Sequence, residues 1–202
     1  KKGEFVMDNF KKALLSVITF TVFCGFIYTM VMTGICQVLF PNSANGKIIE
    51  VNGVKYGSEL LGQQYTSDRY MWGRITKIDV STYKDTEGNQ LAYAAPSNLS
   101  PASEDYEKLI AQRVEKIRKA NPEKGNEPIP VDLVTNSGSG LDPDISVAAA
   151  KYQVERLARE NNMTKEEVNA IIDKCTNHKV LGLFGEETVN VLKVNLMLDK
   201  II

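Results

Sequence analysis

The sequence predicts an α+β protein: one N-terminal transmembrane helix followed by a single mixed α/β soluble domain. Three observations point there. Residues Ala13 to Gly46 contain no Asp, Glu, Lys, Arg or His. The remainder is strongly polar and carries both helical and strand-like periodicities. These periodicities follow one another without the regular strand–helix–strand alternation of a parallel sheet.

Composition sets the outer bounds. The chain has 202 residues, 24 Lys+Arg against 25 Asp+Glu, and 43% hydrophobic residues. Such values suit a folded protein and exclude a disordered or collagen-like one. A net charge of -1 offers none of the basic surface that nucleic acid selects, so no nucleic-acid partner is expected. Four lysines and two acidic residues precede the apolar run. That leaves 20 basic and 23 acidic residues after it, a net charge of about -3. Three cysteines do not make a disulfide framework. Cys24 and Cys36 on one helix would stand roughly 18 Å apart, beyond disulfide reach. Cys175 reads as a small core residue on an apolar stripe.

The chain is expected to divide into a cytoplasmic tail over 1–12, a transmembrane helix over 13–40 and an extracytoplasmic soluble domain over 41–202. About 20 apolar residues cross a hydrocarbon core of ~30 Å. The run here is longer, and too long for the apolar region of a cleaved signal. Lys1, Lys2, Lys11 and Lys12 precede it, whereas the first basic residue beyond it is Lys47. The positive-inside rule therefore puts the N-terminus in the cytoplasm and the domain outside. Thr21, Gly25, Thr29 and Thr33 recur at i, i+4 and form a face of small residues. Such a face lets another helix approach closely in lipid, so these four are the candidate helix-docking residues.

Pro41 to Gly46 is a breaker cluster that ends the helix. Asn52-Gly53 between Ile48–Val51 and Val54–Tyr56 predicts a hairpin. Thr82 to Ala95 is polar and reads as a surface loop. Ser103 to Ala120 predicts a helix with Tyr106, Leu109, Ile110, Val114 and Ile117 on one stripe. Val131 to Val134 reads as a short strand, and Asn136 to Gly140 as a loop. Ser146 is placed to cap a helix with Val147, Ala150, Val154 and Leu157 inward. Thr164-Lys165-Glu166-Glu167 is a capping box opening a third helix, with Val168, Ile171, Ile172 and Cys175 inward. Leu192, Val194, Leu196 and Leu198 alternate with polar residues, which favours a strand and leaves a helix as the alternative.

No catalytic constellation emerges. Neither serine of Ser137-Gly138-Ser139-Gly140 fits the Gly-x-Ser-x-Gly elbow. His178 is the chain's one histidine and reads as a cation near a helix end. The glycine loop lacks the Gly-Lys-Ser/Thr ending of a P-loop, although main-chain amides of such a loop can bind anions. Asp132, Asp142 and Asp144 do not match a calcium loop, and Asp144 reads as charging a helix N-terminus. Histidine and cysteine are too few for a typical zinc site, so no metal ligand is expected. Trp72 and Arg74 read as structural residues.

Longer stretches carry a resemblance. They are Val31-Met32-Thr33-Gly34-Ile35-Cys36-Gln37-Val38-Leu39-Phe40-Pro41, Gly57-Ser58-Glu59-Leu60-Leu61-Gly62-Gln63, Tyr70-Met71-Trp72-Gly73-Arg74 and Pro96-Ser97-Asn98-Leu99. The most specific runs from Val131 through Ser137-Gly138-Ser139-Gly140-Leu141-Asp142 to Ser146. Ala148–Val154, Leu181-Gly182 and Val189–Asn195 follow. Together they resemble the C subunit family of the bacterial Kdp potassium-transporting ATPases, KdpC, over nearly the whole chain. The chain departs from the usual pattern at Ile75, where proline is common, and at Asp144, where histidine is common.

The resemblance implies a non-catalytic accessory subunit of a high-affinity, ATP-driven potassium uptake complex in the bacterial inner membrane. Its partners would be a potassium-carrying subunit, an ATP-hydrolysing subunit, a small single-span subunit and the lipid bilayer. It implies a role in assembly and stabilisation over the outer face of the potassium-carrying subunit. The alternative is a catalytic chaperone that raises ATP affinity of the ATP-hydrolysing subunit. No cofactor is expected on this chain itself, and ATP would be met only through the complex. The signature loop Ser137, Gly138, Ser139, Gly140 and Asp142 is the candidate site on the domain.

Overall fold

The computed structural model describes residues 2–76, 78–94 and 96–202, the side chains of 2–6, 78–82 and 90–92 excepted. It has two compact units, 1–48 and 49–202. The first is one long helix: α1 (Lys2–Phe20), a π-helical stretch (Thr21–Ile27) and α2 (Tyr28–Leu39). Met7–Leu39 is long and apolar enough to span a bilayer, with none of it buried within the chain. Phe40 leaves the helical region at φ -136°, ψ 51°, and Pro41 starts a single further turn, α3 (Pro41–Ala44).

The second unit mixes short strands and helices, so the expected fold class holds. β1 (Ile48–Val51) and β2 (Val54–Ser58) form the expected hairpin. Asn52 and Gly53 sit at φ 52° and 79°, the paired positive angles that a tight two-residue hairpin turn requires. The segment read as a surface loop over Thr82 to Ala95 is instead mostly a second hairpin, Ala95 lying outside the described residues. β3 (Ile78–Lys84) pairs antiparallel with β4 (Gln90–Ala94). Its turn is built by Asp85, whose carboxylate accepts from the Glu87 and Asn89 amides and the Asn89 side chain at 2.8–2.9 Å. Tyr83 and Tyr93 then meet edge-on, centroids 5.2 Å apart. Polarity in this stretch therefore does not mark a loop.

α4 (Glu104–Ala120) is capped by the Ser103 hydroxyl, which accepts from Tyr106 N. Ile117 on the predicted stripe is buried. Val131 to Val134 is a 3-10 turn (Val131–Leu133), not a strand. Only Leu133 is buried there, Val131 is exposed, and Thr135 Oγ1 bonds back to Val131 O. β-Branched content favours a strand only where another strand edge receives it.

β5 (Asp144–Ser146), β7 (Thr188–Asn190) and β6 (Thr176–Asn177) form an antiparallel sheet in that order. The helix expected after Ser146 is capped as predicted, Ala149 N donating to Ser146 Oγ at 3.2 Å. It is, however, two helices, α5 (Val147–Tyr152) and α6 (Val154–Asn161), joined at Gln153. α7 (Lys165–Lys174) opens on the full capping box, and the Thr164 amide and hydroxyl hold the Glu167 carboxyl below its usual range. The last element is a helix, α8 (Val191–Leu198), capped by the Asn190 side chain on Lys193 N. The alternation misleads because Asn195, read as an outward polar residue, is 2% exposed.

The core gathers α4 to α8 around Met71 and Trp72. Tyr70 to Gly73 has no strand beside it, so its peptide groups need other partners. Asn195 supplies one pair: Met71 N donates to its Oδ1 at 2.7 Å, and its Nδ2 donates to Met71 O at 3.1 Å. Gln153 supplies the next. Trp72 N donates to its Oε1 at 2.9 Å, and its Nε2 donates to Trp72 O at 3.0 Å. Fully buried Arg156 braces the group, donating to Gln153 Oε1 at 2.5 Å, Tyr70 O at 2.8 Å and Asp68 O. Its guanidinium also lies 4.3 Å from the Trp72 ring. Desolvation lowers its pKa to about 10.

Replacing Gln153 or Asn195 by Leu removes both partners of a buried peptide unit. Each change is expected to cost roughly 3 kcal/mol, since orphaned buried groups cost about 1–3 kcal/mol apiece. Denaturant unfolding of the detergent-solubilised full chain, followed by Trp72 fluorescence, would read the loss.

Candidate functional site

Each unit carries one of the two candidate sites. On the first, the π-helical stretch contains Thr21 and Gly25. Thr29 Oγ1 reaches back five residues to Cys24 O at 3.4 Å, consistent with the wider π turn. Thr21 and Gly25 are neighbours on the helix surface. A Cβ built on Gly25 would lie 4.0 Å from Thr21 Cγ2, ordinary contact, and one on Gly34 would meet nothing within 4 Å. Nothing in the chain's own packing therefore calls for glycine at either position. Thr29 and Thr33 line a groove of about 360 Å³ with Tyr28, Met32, Cys36 and Gln37. The Gln37 and Asn45 carboxamides pair across its end at 3.1 and 3.3 Å.

On the second unit, the structure brings Ser137, Ser139, Gly140 and Asp142 together in one tight loop. Its polar groups serve the loop itself. Gly140 N donates to Ser137 O at 3.3 Å, Leu141 N to Ser139 Oγ at 3.2 Å, and Asp142 N to Ser137 Oγ at 3.4 Å. Asp142 Oδ1 accepts from Asp144 N at 3.1 Å. Gly138 faces open space. Amides spent in this way do not form a phosphate cradle, which needs several N–H groups aimed outward.

Arg74 clamps the loop from the neighbouring segment. Its guanidinium donates to Asp142 Oδ2 at 3.2 Å and to Asn136 O at 2.8 Å. On the other flank Gly62 N donates to Leu141 O at 2.7 Å, and a Cβ there would fall 2.5 Å from Asp142 O. This close approach explains the glycine of the Gly57–Gln63 stretch.

The remaining carboxylates of this region line a groove of about 290 Å³ with Arg74, Ser146 and Thr188. They too have structural partners. Asp132 accepts from Ser146 N at 2.9 Å. Asp144 lies in β5 and accepts from Thr188 Oγ1 at 3.1 Å and Asn190 Nδ2 at 2.9 Å. It ties two strands rather than charging a helix terminus, where Ser146 already caps. His178 is exposed and bonds Glu187 at 2.9 Å, holding that carboxyl below its usual range, so it serves neither a helix end nor a serine. Cys175 is buried, and burial raises its thiol pKa to about 11, which keeps it protonated and inert at neutral pH. Among the described residues no cluster of His, Cys, Asp or Glu fits a metal ion.

Sequence reasoning missed one feature. Val180 and Phe184 bridge across a tight turn in which Leu181 and Gly182 take positive φ. Val180, Leu181, Leu183 and Phe184 are 66%, 83%, 79% and 64% exposed. The ion pairs Lys179–Glu186 and His178–Glu187 close its base. Val-Leu-Gly-Leu-Phe-Gly within a polar domain was the available signal.

The model of one protein family, described as the c chain of K+-transporting ATPase, matches residues 10–200. A protein of Clostridium perfringens named potassium-transporting ATPase KdpC subunit is 61% identical over 196 residues, covering 97% of this chain and 99% of that one. A Clostridium botulinum protein of the same name is 59% identical over 96% of each chain. Another from Clostridioides difficile is 41% identical over 97% of this chain and 99% of its own. With nearly every residue accounted for at these identities, the chain belongs to the KdpC family, the C chains of the K+-transporting ATPases.

Proposed function

We propose that this subunit of the Kdp complex is non-catalytic and works by assembling and stabilising the transporter. Its helix docks on the potassium-carrying subunit through Thr21, Gly25, Thr29 and Thr33. Its domain, 41–202, lies on the outer side of the membrane over that subunit, and the tail, 1–12, stays in the cytoplasm. The observation that carries this reading is apolar surface that the chain itself leaves uncovered. It occurs on the span, where glycines have no internal reason, and on the Val180–Phe184 turn. The small-residue face suits close helix contact in lipid. The lysines before the span favour a cytoplasmic N-terminus. The partners are the other Kdp subunits, since family membership implies a multisubunit complex.

Raising ATP affinity of the ATP-hydrolysing subunit is the weaker reading. It would need the domain in the cytosol and a loop open to phosphate, whereas the Gly140, Leu141 and Asp142 amides and Arg74 are engaged within the loop. ATP is then bound by another subunit.

Topology is tested by a single cysteine at Thr86, an exposed turn position, in a background lacking Cys24, Cys36 and Cys175. A membrane-impermeant maleimide should label it in intact cells. Labelling only after permeabilisation would reverse the topology. Gly25→Leu should leave the chain's own unfolding unchanged while weakening its hold on the complex roughly tenfold, the equivalent of 1–2 kcal/mol of helix packing. Co-purification of the potassium-carrying subunit at increasing detergent reads this, and Leu181→Ser/Leu183→Ser should act in the same direction. Gly138→Ala faces open space and should fold normally. Transport by its complex should keep the wild-type ATP dependence, and a raised requirement for ATP would favour the chaperone reading.

A further inference from the structure

A small cavity of about 30 Å³ is lined by Gln63, Gln64, Arg74, Thr76, Arg113 and Lys116 among others. It has room for one guest of about the size of a water molecule or a halide ion. Three of its lining residues are cations and none is Asp or Glu. The charge is only partly neutralised, Arg74 by Asp142 and Lys116 by the nearby Asp68 charge. Arg113 donates to two neutral carbonyls, Leu133 O at 2.9 Å and Gly73 O at 3.3 Å. Lys116 Nζ sits 4.6 Å from the Trp72 ring, with Arg156 on the same ring at 4.3 Å and Arg113 at 5.8 Å. Arg74 spends its charge on Asp142, yet its Nε–H is buried with no acceptor, as is Thr76 Oγ1. An Nε–H can only donate, so Arg74 Nε calls for an acceptor that the described residues do not supply.

We infer that this pocket, between Gln63, Arg74 and the Arg113/Lys116 turn of α4, is a binding site for one small inorganic anion of halide size. Like charges converging on a partly desolvated space repel one another, and an anion seated among them offsets that repulsion. The same crowding is visible in the lysine: burial first, and then the Arg113 charge, lowers the Lys116 pKa. Lys116, one of the lining residues, is an exposed position of α4. Occupancy would also stiffen the Gly73–Thr76 segment from which Arg74 holds the signature loop.

Trp72 is the chain's one tryptophan and is 2% exposed, so it is shielded from collisional quenching, and two of the lining cations, Arg113 and Lys116, lie over its ring. Bromide is the probe, titrated into the full chain in detergent at fixed ionic strength against gluconate, which is too large to enter. The expected result is saturable quenching of Trp72, relieved by chloride, with the half-saturation concentration raised roughly tenfold in Lys116→Gln by loss of one charge-assisted contact. Weak linear quenching that chloride does not relieve would mean that the cavity holds only water. Saturation unchanged by Lys116→Gln, or reached only at molar bromide, would equally overturn the site. Chloride competition on the wild-type chain decides the matter even if the variant folds poorly.

Discussion

Two carboxamides standing in for a missing strand hold this domain together. Met71 and Trp72 are buried with no strand beside them, and a chain in that state must find partners for its N–H and C=O groups. Asn195 of α8 and Gln153, between α5 and α6, each grip one peptide unit from both sides. The consequence reaches beyond the segment. The break between α5 and α6 falls at Gln153, whose side chain holds Trp72. Trp72 can be buried because its backbone is satisfied, and Arg156 can be buried because carbonyls of Asp68 and Tyr70 and the Gln153 amide oxygen receive its donors.

The signature loop inherits this order. Arg74 follows directly on the gripped residues, so its guanidinium reaches Asp142 and Asn136 from a fixed base. Gly62 closes the opposite side by main-chain contact that a side chain would block. Glycine plays a different part in the membrane helix. Gly62 is small because its own chain presses on it, whereas Gly25 and Gly34 are small where the chain leaves room. The first fact concerns folding, and the second has no explanation in the chain's own packing.

What the sequence disclosed divides along the same line. Features set by local chemistry were legible: the apolar span, the Asn52-Gly53 turn, the Ser103 and Ser146 caps and the Thr164 capping box. Features set by distant partners were not. Asn195 and Gln153 count as polar in any periodicity, yet both are buried because Met71 and Trp72 need them, so α8 imitated a strand and α5–α6 a single helix. Val131–Val134 looked like a strand for its β-branched residues, but no strand edge lies there to receive it. Asp142 was visible as a site residue through resemblance, whereas its bond to Arg74, 68 residues away, was not. The apolar run at Val180–Phe184 is visible in the sequence, but its exposure is not, since a short apolar run is equally compatible with a core position.

Much of the most specific stretch of the chain is spent on folding. Between Asn136 and Ser146, the Ser137 and Ser139 hydroxyls, the Gly140, Leu141 and Asp142 amides and the Asp142 and Asp144 carboxylates have partners within the chain, and a residue so engaged is constrained by folding before any function is asked of it. Side chains with nothing to hold inside the chain carry the opposite signal. Leu181, Leu183 and Phe184 gain nothing from water, and Gly25 gives up helix stability without relieving any internal contact. Their cost is recovered only when another surface covers them. The two kinds of residue thus separate what the fold itself requires from what the fold leaves unexplained.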